Sequence, residues 1–543
     1  MSKIVEKVMK HYEDNFAHIH LPAEDLQAEY VFDDPDFIFA EHLNCVDALL
    51  DIHIREGRGN KVAIRTFTES WTYLDLYEKA SQIAHVLVQD LDFVSGNRVL
   101  IRSGNNPMFV AIWLAILKAG GIVVATMPLL RQKELDVIID SAEISHAFCE
   151  YRLEEEMASL KSPFLKQLIT FDGGGSSTNK LEVLMHNKPK TFTNYHTLST
   201  SIGLIGFTSG TTGKPKMTSH FHRDILLICE AFPKYSLQPT PDDIFTGSPP
   251  LGFTFGLGGL VLFPFYYGAS TFLIEKPSPE LLLKAIQEYK ITICFTAPTA
   301  WRVITTLVKD YNISSLRKCI SAGETLPLKV WENWYDATGL KIIDGIGSTE
   351  ILHIFISSTE ENMRKGATGL PVRGYEAKII DQNGNNVPTN EPGRLAVRGI
   401  TGCKYLNSDD KQKEYVENKW NITGDIFRKD EDGYFWFVAR GDDMIISSGY
   451  NIAAIEVENV LLTHDEISEC AVVGIPNEER GMLVCAYIVL KDNTKAGDEM
   501  AKTIQNWFKE VAAPYKYPRQ IHFMDTLPKT ETGKIQRFKL KMQ

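Results

Sequence analysis

The chain has 543 residues, too many for one hydrophobic core, so at least two domains are expected. Its 44% hydrophobic and 23% charged content excludes disordered and fibrous classes, and the formal net charge of −12 argues against bulk nucleic-acid affinity. Eight cysteines, scattered without a CxxC or a paired histidine, read as buried thiols of a reducing compartment.

The opening MSKIVEKVMKHYEDNF interleaves charge with Ile4, Val5, Val8 and Met9 and lacks a signal-peptide core, so a cytoplasmic location is expected. From Lys61 to Glu150, β-branched runs (VAIRTF, NRVLIRS, GIVVATM) alternate with amphipathic or apolar ones (YLDLYEKASQIAHVLVQ, PMFVAIWLAILKAG). That order predicts a parallel sheet covered by helices. The apolar run Met108 to Leu117 stops at Lys118, too short to cross a bilayer. FDGGGSSTNK reads as a surface loop. Ile244 to Ile274 carries one long uncharged run, but Pro249, Pro250, Pro264 and its glycines would leave a spanning backbone unsatisfied. A buried, pocket-lining segment is expected there. LLLKAIQEYK before ITICFTAP, and LKVWENWYDATG before KIIDGIG, repeat the helix-then-strand texture. After Gly366 shorter strands follow (YEAKIID, GRLAVRG, GYFWFVAR). The last hundred or so residues read as self-contained, which puts a domain boundary at Asp442 and gives domains 1–441 and 442–543.

The sharpest local signal is TSGTTGKPK, Thr208 to Lys216, directly after the apolar IGLIGF. Gly210 and Gly213 permit tight turns, the hydroxyls of Thr208, Ser209, Thr211 and Thr212 donate, and Lys214 and Lys216 add positive charge, so the loop can surround a triphosphate. It is not a Walker loop, because its glycines are too close and a proline follows Lys214. Taken alone, a flexible surface turn remains the alternative.

TSGTTGKPK resembles the phosphate loop of the adenylate-forming superfamily, which holds acyl-CoA synthetases, peptide-synthetase adenylation domains and beetle luciferases. SAGETLP (Ser321 to Pro327), DGIGSTE (Asp344 to Glu350), TGD (Thr423 to Asp425), ARGDDMIISSGYNI (Ala439 to Ile452) and PKTETGKIQR (Pro528 to Arg537) follow in that superfamily's order. The resemblance implies an α/β fold: a large N-terminal domain of helix-covered sheets with a small barrel-like part, plus a small mobile α+β C-terminal domain. It also implies an ATP-dependent acid–CoA ligase that forms an acyl-adenylate and then a thioester.

By this resemblance Lys534, Glu350 and Thr208 are catalytic. Lys534 reaches the carboxylate and AMP oxygens and stays protonated beside two anions. Glu350 holds Mg²⁺, for which one carboxylate plus phosphate oxygens and water suffices, with Thr349 beside it on the phosphates; a helix-starting cap is the bland alternative. Asp425, assisted by Arg440, takes the ribose hydroxyls. Gly323, Glu324, Thr325, Asp344 and Gly345 frame adenine, although Asp344 also suits a simple turn. Asp442 occupies the hinge position, because one C-terminal domain must serve both half-reactions. Ser448, Gly449 and Tyr450 border the coenzyme A channel, with an ordinary turn glycine an equal reading of Gly449.

For the acid, DGIGSTEILHIF, PLGFTFGLGG and MPLLRQKEL most closely resemble benzoate- and 2-aminobenzoate-CoA ligases. Phe253, Thr254, Phe255, Gly347 and His353 are then the acyl pocket, although Thr254 and Phe255 stand where benzoate ligases tend to carry Ala and Tyr. Plain core packing is the alternative for the two phenylalanines, and a satisfied buried histidine for His353. The partners implied are a small carboxylic acid, ATP and coenzyme A, with no nucleic acid and no membrane span; a homodimer stays open. The competing functions are a medium-chain fatty acid–CoA ligase and a stand-alone enzyme loading a carrier protein. A non-enzymatic adenylate-binding protein is disfavoured, because Thr208, Glu350, Asp425, Arg440 and Lys534 occur together.

Overall fold

The computed structural model describes residues 7–173, 180–208, 215–447, 450–477, 480–492, 495–512, 514–529 and 535–541. Among them, a six-stranded sheet runs in the order Gln167–Phe171, His146–Glu150, Arg98–Arg102, Ile122–Thr126, Ile202–Thr208, Lys216–Phe221. Its neighbours are parallel except the last pair, which is antiparallel. Helix Tyr73–Asp90 starts where sequence places it because Thr72 and Asp75 form a reciprocal capping box. Helix Pro107–Lys118 starts with proline at a position that needs no N–H, and Asn106 caps the Phe109 amide. Every residue of that helix is buried, and its terminal Lys118 ammonium is held by Asp51 at 2.7 Å and Asn194 at 2.9 Å. The run that resembled a membrane span is therefore a core helix, and no helix among the described residues is long and apolar enough to cross a membrane.

A nine-stranded sheet packs beside it, with Ile342–Gly347, Lys318–Ser321, Ile293–Thr296, Ile244–Gly247, Ser270–Phe272 and Val62–Arg65 as parallel neighbours. This corrects one sequence expectation. Val62–Arg65 does not join the sheet of Arg98–Arg102 and Ile122–Thr126; it pairs with the short strand Ser70–Thr72 on one side and, through Ile64 and Thr271, with a strand some two hundred residues away on the other. Strand periodicity specifies a face and not a partner. The uncharged run from Ile244 to Ile274 is buried as expected, built from two short strands and the short helices Thr254–Leu257 and Phe263–Tyr266.

The barrel-like part is an antiparallel five-stranded sheet containing Tyr375–Ile380, Gly393–Gly399, Trp420–Lys429 and Phe435–Arg440. The chain leaves it through the single turn Gly441–Asp443 and enters the last sheet at Met444–Ser447. That sheet pairs Ile467–Asn477 with Gly481–Leu490 and carries helices Ala454–Leu461 and Asp498–Val511 around a separate core of Ile452, Val457, Val472, Val484, Ile504 and Phe508.

Candidate active site

A cleft of about 380 Å³ opens where the C-terminal ends of the parallel strands meet the barrel-like sheet and the last sheet. Glu324, Asp344, Asp425, Arg440, Lys529 and Ile535 all line it. The parallel strands deliver Asp344 and Gly345 on Ile342–Gly347, and Gly323, at φ +91°, turns the chain back after Lys318–Ser321. Burial pushes the Asp344 carboxyl up to about 7, and its buried Oδ1 accepts no hydrogen bond among the described residues. Asp425 lies opposite Arg440 across the antiparallel ladder, with Arg440 Nη1 at 3.4 Å from Asp425 Oδ1.

The two ends of the expected phosphate loop meet in register, Thr208 opposite Lys216. Gly206 lets the GSTE turn approach this strand: a Cβ there would lie 2.7 Å from Thr349 Cγ2. His220, on the returning strand, bonds the Thr349 carbonyl through Nε2 at 2.7 Å. Burial lowers that imidazole to about 4, so it is neutral and donates. Glu350 follows, half-buried, and its Oε1 accepts from the Tyr405 hydroxyl at 2.6 Å. No described residue donates to its Oε2, and no trio of His, Cys, Asp or Glu able to cage an ion exists among the described residues. A carboxylate with one oxygen left over fits a hard divalent cation whose other ligands are phosphate and water.

Of the acyl set, Phe255 and Gly347 meet His353. That histidine is 2% exposed and sits among Phe263, Phe232 and Phe255 with centroids at 4.6, 5.9 and 5.9 Å. Gly258 admits it; a Cβ there would fall 2.3 Å from His353 Cδ2. Burial lowers the imidazole to about 3, and neither ring nitrogen meets hydrogen-bond geometry with a described residue. Phe255 is partly buried against the core and packs its ring on Phe295 at 5.6 Å, as the core-packing alternative expects. Phe253 and Thr254 are half-buried at the start of the same short helix, and exposed Gly347 abuts the His353 carbonyl.

Ser209, Gly210, Thr211, Thr212, Gly213, Ser448, Gly449 and Lys534 lie outside the described residues. The residue after Lys534 does not: the Ile535 amide donates to Glu324 Oε1 at 3.2 Å, which ties the PKTETGK segment to the SAGETLP turn. Asp442 falls in the turn between the two sheets, and Tyr450 begins the strand Tyr450–Ala453. Sequence reading missed Tyr405, His220, Phe232, Phe263 and Arg302. None stands at a motif spacing, and only packing brings each to the site.

The AMP-binding enzyme family matches residues 53–404, and the AMP-binding enzyme C-terminal domain matches residues 456–534. The chain belongs to the AMP-binding enzyme family. It is 31% identical to benzoate–CoA ligase of Thauera aromatica over 93% of this chain and 97% of that protein. It is 32% identical to human acyl-coenzyme A synthetase ACSM3, mitochondrial, over 87% and 83% of the two chains. The crystal structure of the anthranilate CoA ligase AuaEII with anthranoyl-AMP superposes with a TM-score of 0.87 at 32% identity, covering 93% of this chain and 98% of that one. The α/β architecture of this AMP-binding enzyme is thus that of its structural relatives.

Proposed function

We propose that this chain, an AMP-forming acid–CoA ligase, acts on a benzoate- or 2-aminobenzoate-type aryl acid. The observation that carries the acid class is the His353 box: the rings of Phe232, Phe255 and Phe263 packed around one buried imidazole. None of these groups is charged, so a second carboxylate or an ammonium on the acid would be buried unpaired at a cost of several kcal/mol. A planar ring with a small neutral substituent avoids that cost and can satisfy His353. The likeness to benzoate–CoA ligase and to the anthranilate CoA ligase supports the same class.

The chemistry runs in two steps. A carboxylate oxygen attacks the α-phosphorus of ATP, the bond to the bridging oxygen breaks, and pyrophosphate leaves. The coenzyme A sulfur, having lost its proton, then attacks the acyl carbon, and AMP leaves with the electron pair. Bringing two anions together in the first step needs preorganised charge. Lys534 supplies it, a reading supported by the Ile535–Glu324 bond that holds its neighbour at the cleft. Asp344 Oδ1, a buried acceptor, suits the exocyclic amine of adenine, and Asp425 with Arg440 suits the ribose hydroxyls. Glu350 would hold Mg²⁺, whose charge offsets that of the phosphates. Thr208 and Lys216 bracket the triphosphate loop, and Gly449 with Ser448 and Tyr450 flanks the pantetheine path. The turn at Asp442 is the hinge, so that residues 442–543 swing between the two steps; the abrupt passage from one sheet to the next there supports it.

The test is a screen for AMP and acyl-CoA formation over benzoate, aminobenzoates, hydroxybenzoates, hexanoate and octanoate. Aryl acids should lead in kcat/KM; an aliphatic acid ahead of every aryl acid overturns the acid class. Lys534→Ala should abolish acid-dependent pyrophosphate release yet convert synthetic acyl-adenylate to thioester, and equal loss in both would refute its role.

A further inference from the structure

Tyr405 stands behind the phosphate side of the cleft, outside every motif recognised in the sequence. Its side chain is 1% exposed, so its hydroxyl cannot be satisfied by bulk water and must have a fixed partner. That partner is Glu350 Oε1, at 2.6 Å. The segment that carries it is immobilised on both flanks. Lys404 is buried in an ion pair with Asp224 at 3.0 Å and bonds Tyr30, and the Ser219 amide donates to the Lys404 carbonyl at 3.0 Å. On the other side the Leu406 amide donates to the Met217 carbonyl at 2.9 Å, and Gln412 Oε1 accepts from the Tyr405 amide at 2.8 Å. Residues 404–406 are thereby stitched to the strand Lys216–Phe221, which leaves the phosphate loop.

The ring has a second contact. Lys216 Nζ lies 5.2 Å from the Tyr405 centroid, on the cation–π side of its chemistry. Tyr415 backs the ring edge-on at 5.6 Å and reaches Ser348 Oγ at 3.5 Å, in the turn that presents Glu350. One tyrosine therefore touches the carboxylate of the GSTE turn with its hydroxyl and the lysine of the phosphate loop with its ring.

We propose that Tyr405 is the positioning residue of the metal–nucleotide site: its hydroxyl fixes Oε1 of Glu350 so that Oε2 is presented to the divalent cation, while its ring holds Lys216 toward the phosphates. The inference rests on the reading of Glu350 as a metal ligand. A glutamate without this tether samples several rotamers, and ordering it falls to the cation. A group that orients a ligating carboxylate typically contributes tenfold or more in metal affinity.

The two contacts separate by substitution. Tyr405→Phe keeps the ring and its packing but removes the hydroxyl; Tyr405→Leu removes both contacts. The probes are Mn²⁺, followed by electron paramagnetic resonance in the presence of α,β-methylene-ATP, and ATP itself, titrated calorimetrically in EDTA. Tyr405→Phe should weaken Mn²⁺ about tenfold or more and leave metal-free ATP affinity unchanged. Tyr405→Leu should weaken both. Unchanged Mn²⁺ affinity in Tyr405→Phe, or an equal fall in Mn²⁺ and metal-free ATP affinity, overturns the hydroxyl's role. Metal-free ATP affinity unchanged in Tyr405→Leu overturns the ring's role. Glu350→Gln distinguishes the layers: if it loses Mn²⁺ while Tyr405→Phe does not, only the Tyr405 inference falls, whereas if it retains Mn²⁺ the metal reading of Glu350 falls with it.

Discussion

Replacing Arg302 by alanine should slow adenylation and spare thioester formation. Arg302 lies on helix Pro298–Leu307, in the large domain, and reaches across the cleft to the last sheet. Its Nη2 is 2.6 Å from Glu469 Oε1, and its Nη1 donates to the Ser468 carbonyl at 3.0 Å. Glu469 in turn holds Lys529, at 2.5 Å, on the segment that leads to Lys534. The Arg302 and Glu469 side chains are 28% and 22% exposed, so after solvent screening the pair contributes about 0.5–1 kcal/mol. The bond to the carbonyl adds about 1 kcal/mol. Together, about 1.5–2 kcal/mol corresponds to roughly a 10–30-fold change in the population of this domain arrangement. If the two arrangements start near balance, acid-dependent pyrophosphate release should fall by about tenfold. Thioester formation from synthetic acyl-adenylate should hold or rise, because in the proposed hinge motion that step breaks the contact. Raising the ionic strength of the wild type should mimic part of the effect. Equal loss in both half-reactions, or no loss in the first, would refute the argument that this contact selects the adenylating arrangement.

Three further outcomes follow from packing and charge. Gly258→Ala puts a Cβ 2.3 Å from His353 Cδ2, a ring that Phe263 and Phe232 keep from retreating, so it should cost about 1–3 kcal/mol in thermal unfolding and reorder the acid ranking. Lys404→Met leaves Asp224, fully buried, without its cation and should cost about 3–5 kcal/mol in urea unfolding; wild-type stability would refute the buried pair. Burial holds His18, His53 and His220 near 4, and His222 and His353 near 3, below the ordinary 6.5. Between these values and 6.5 the unfolded chain binds more protons than the folded one, so stability is full above pH 6.5 and is lost as pH falls through that window. Each of these histidines removes up to about 2 kcal/mol at pH 5, and Asp344, pushed up to about 7, opposes them together with Glu69 and Glu182, which burial also pushes up. The melting temperature should therefore fall steeply from pH 7 to pH 5, and a flat profile would show that these imidazoles are not buried.

The sequence by itself determined what local chemistry dictates. Thr72 and Asp75, or Asn106 and Pro107, mark helix starts through bonds made within a few residues, and the period of VAIRTF or NRVLIRS marks strands. The ordered motifs likewise single out Asp344, Glu350, Asp425, Arg440 and Lys534 as candidates, because each motif is a short run whose resemblance is read locally. Tertiary structure alone decided which distant strands pair, as when Ile64, already paired with nearby Trp71, takes Thr271 on its other side. It also decided that His353 lies in a phenylalanine box, that Tyr405 meets Glu350, and that Arg302 meets Glu469. These contacts join residues 55, 90, 121 or 167 positions apart, and in each case at least one partner has no periodic or spaced signature. A contact of that kind is set by how sheets and helices pack around a shared core. Local propensity carries no information about it, because the free energy that fixes it is released only when the distant segments have been brought together.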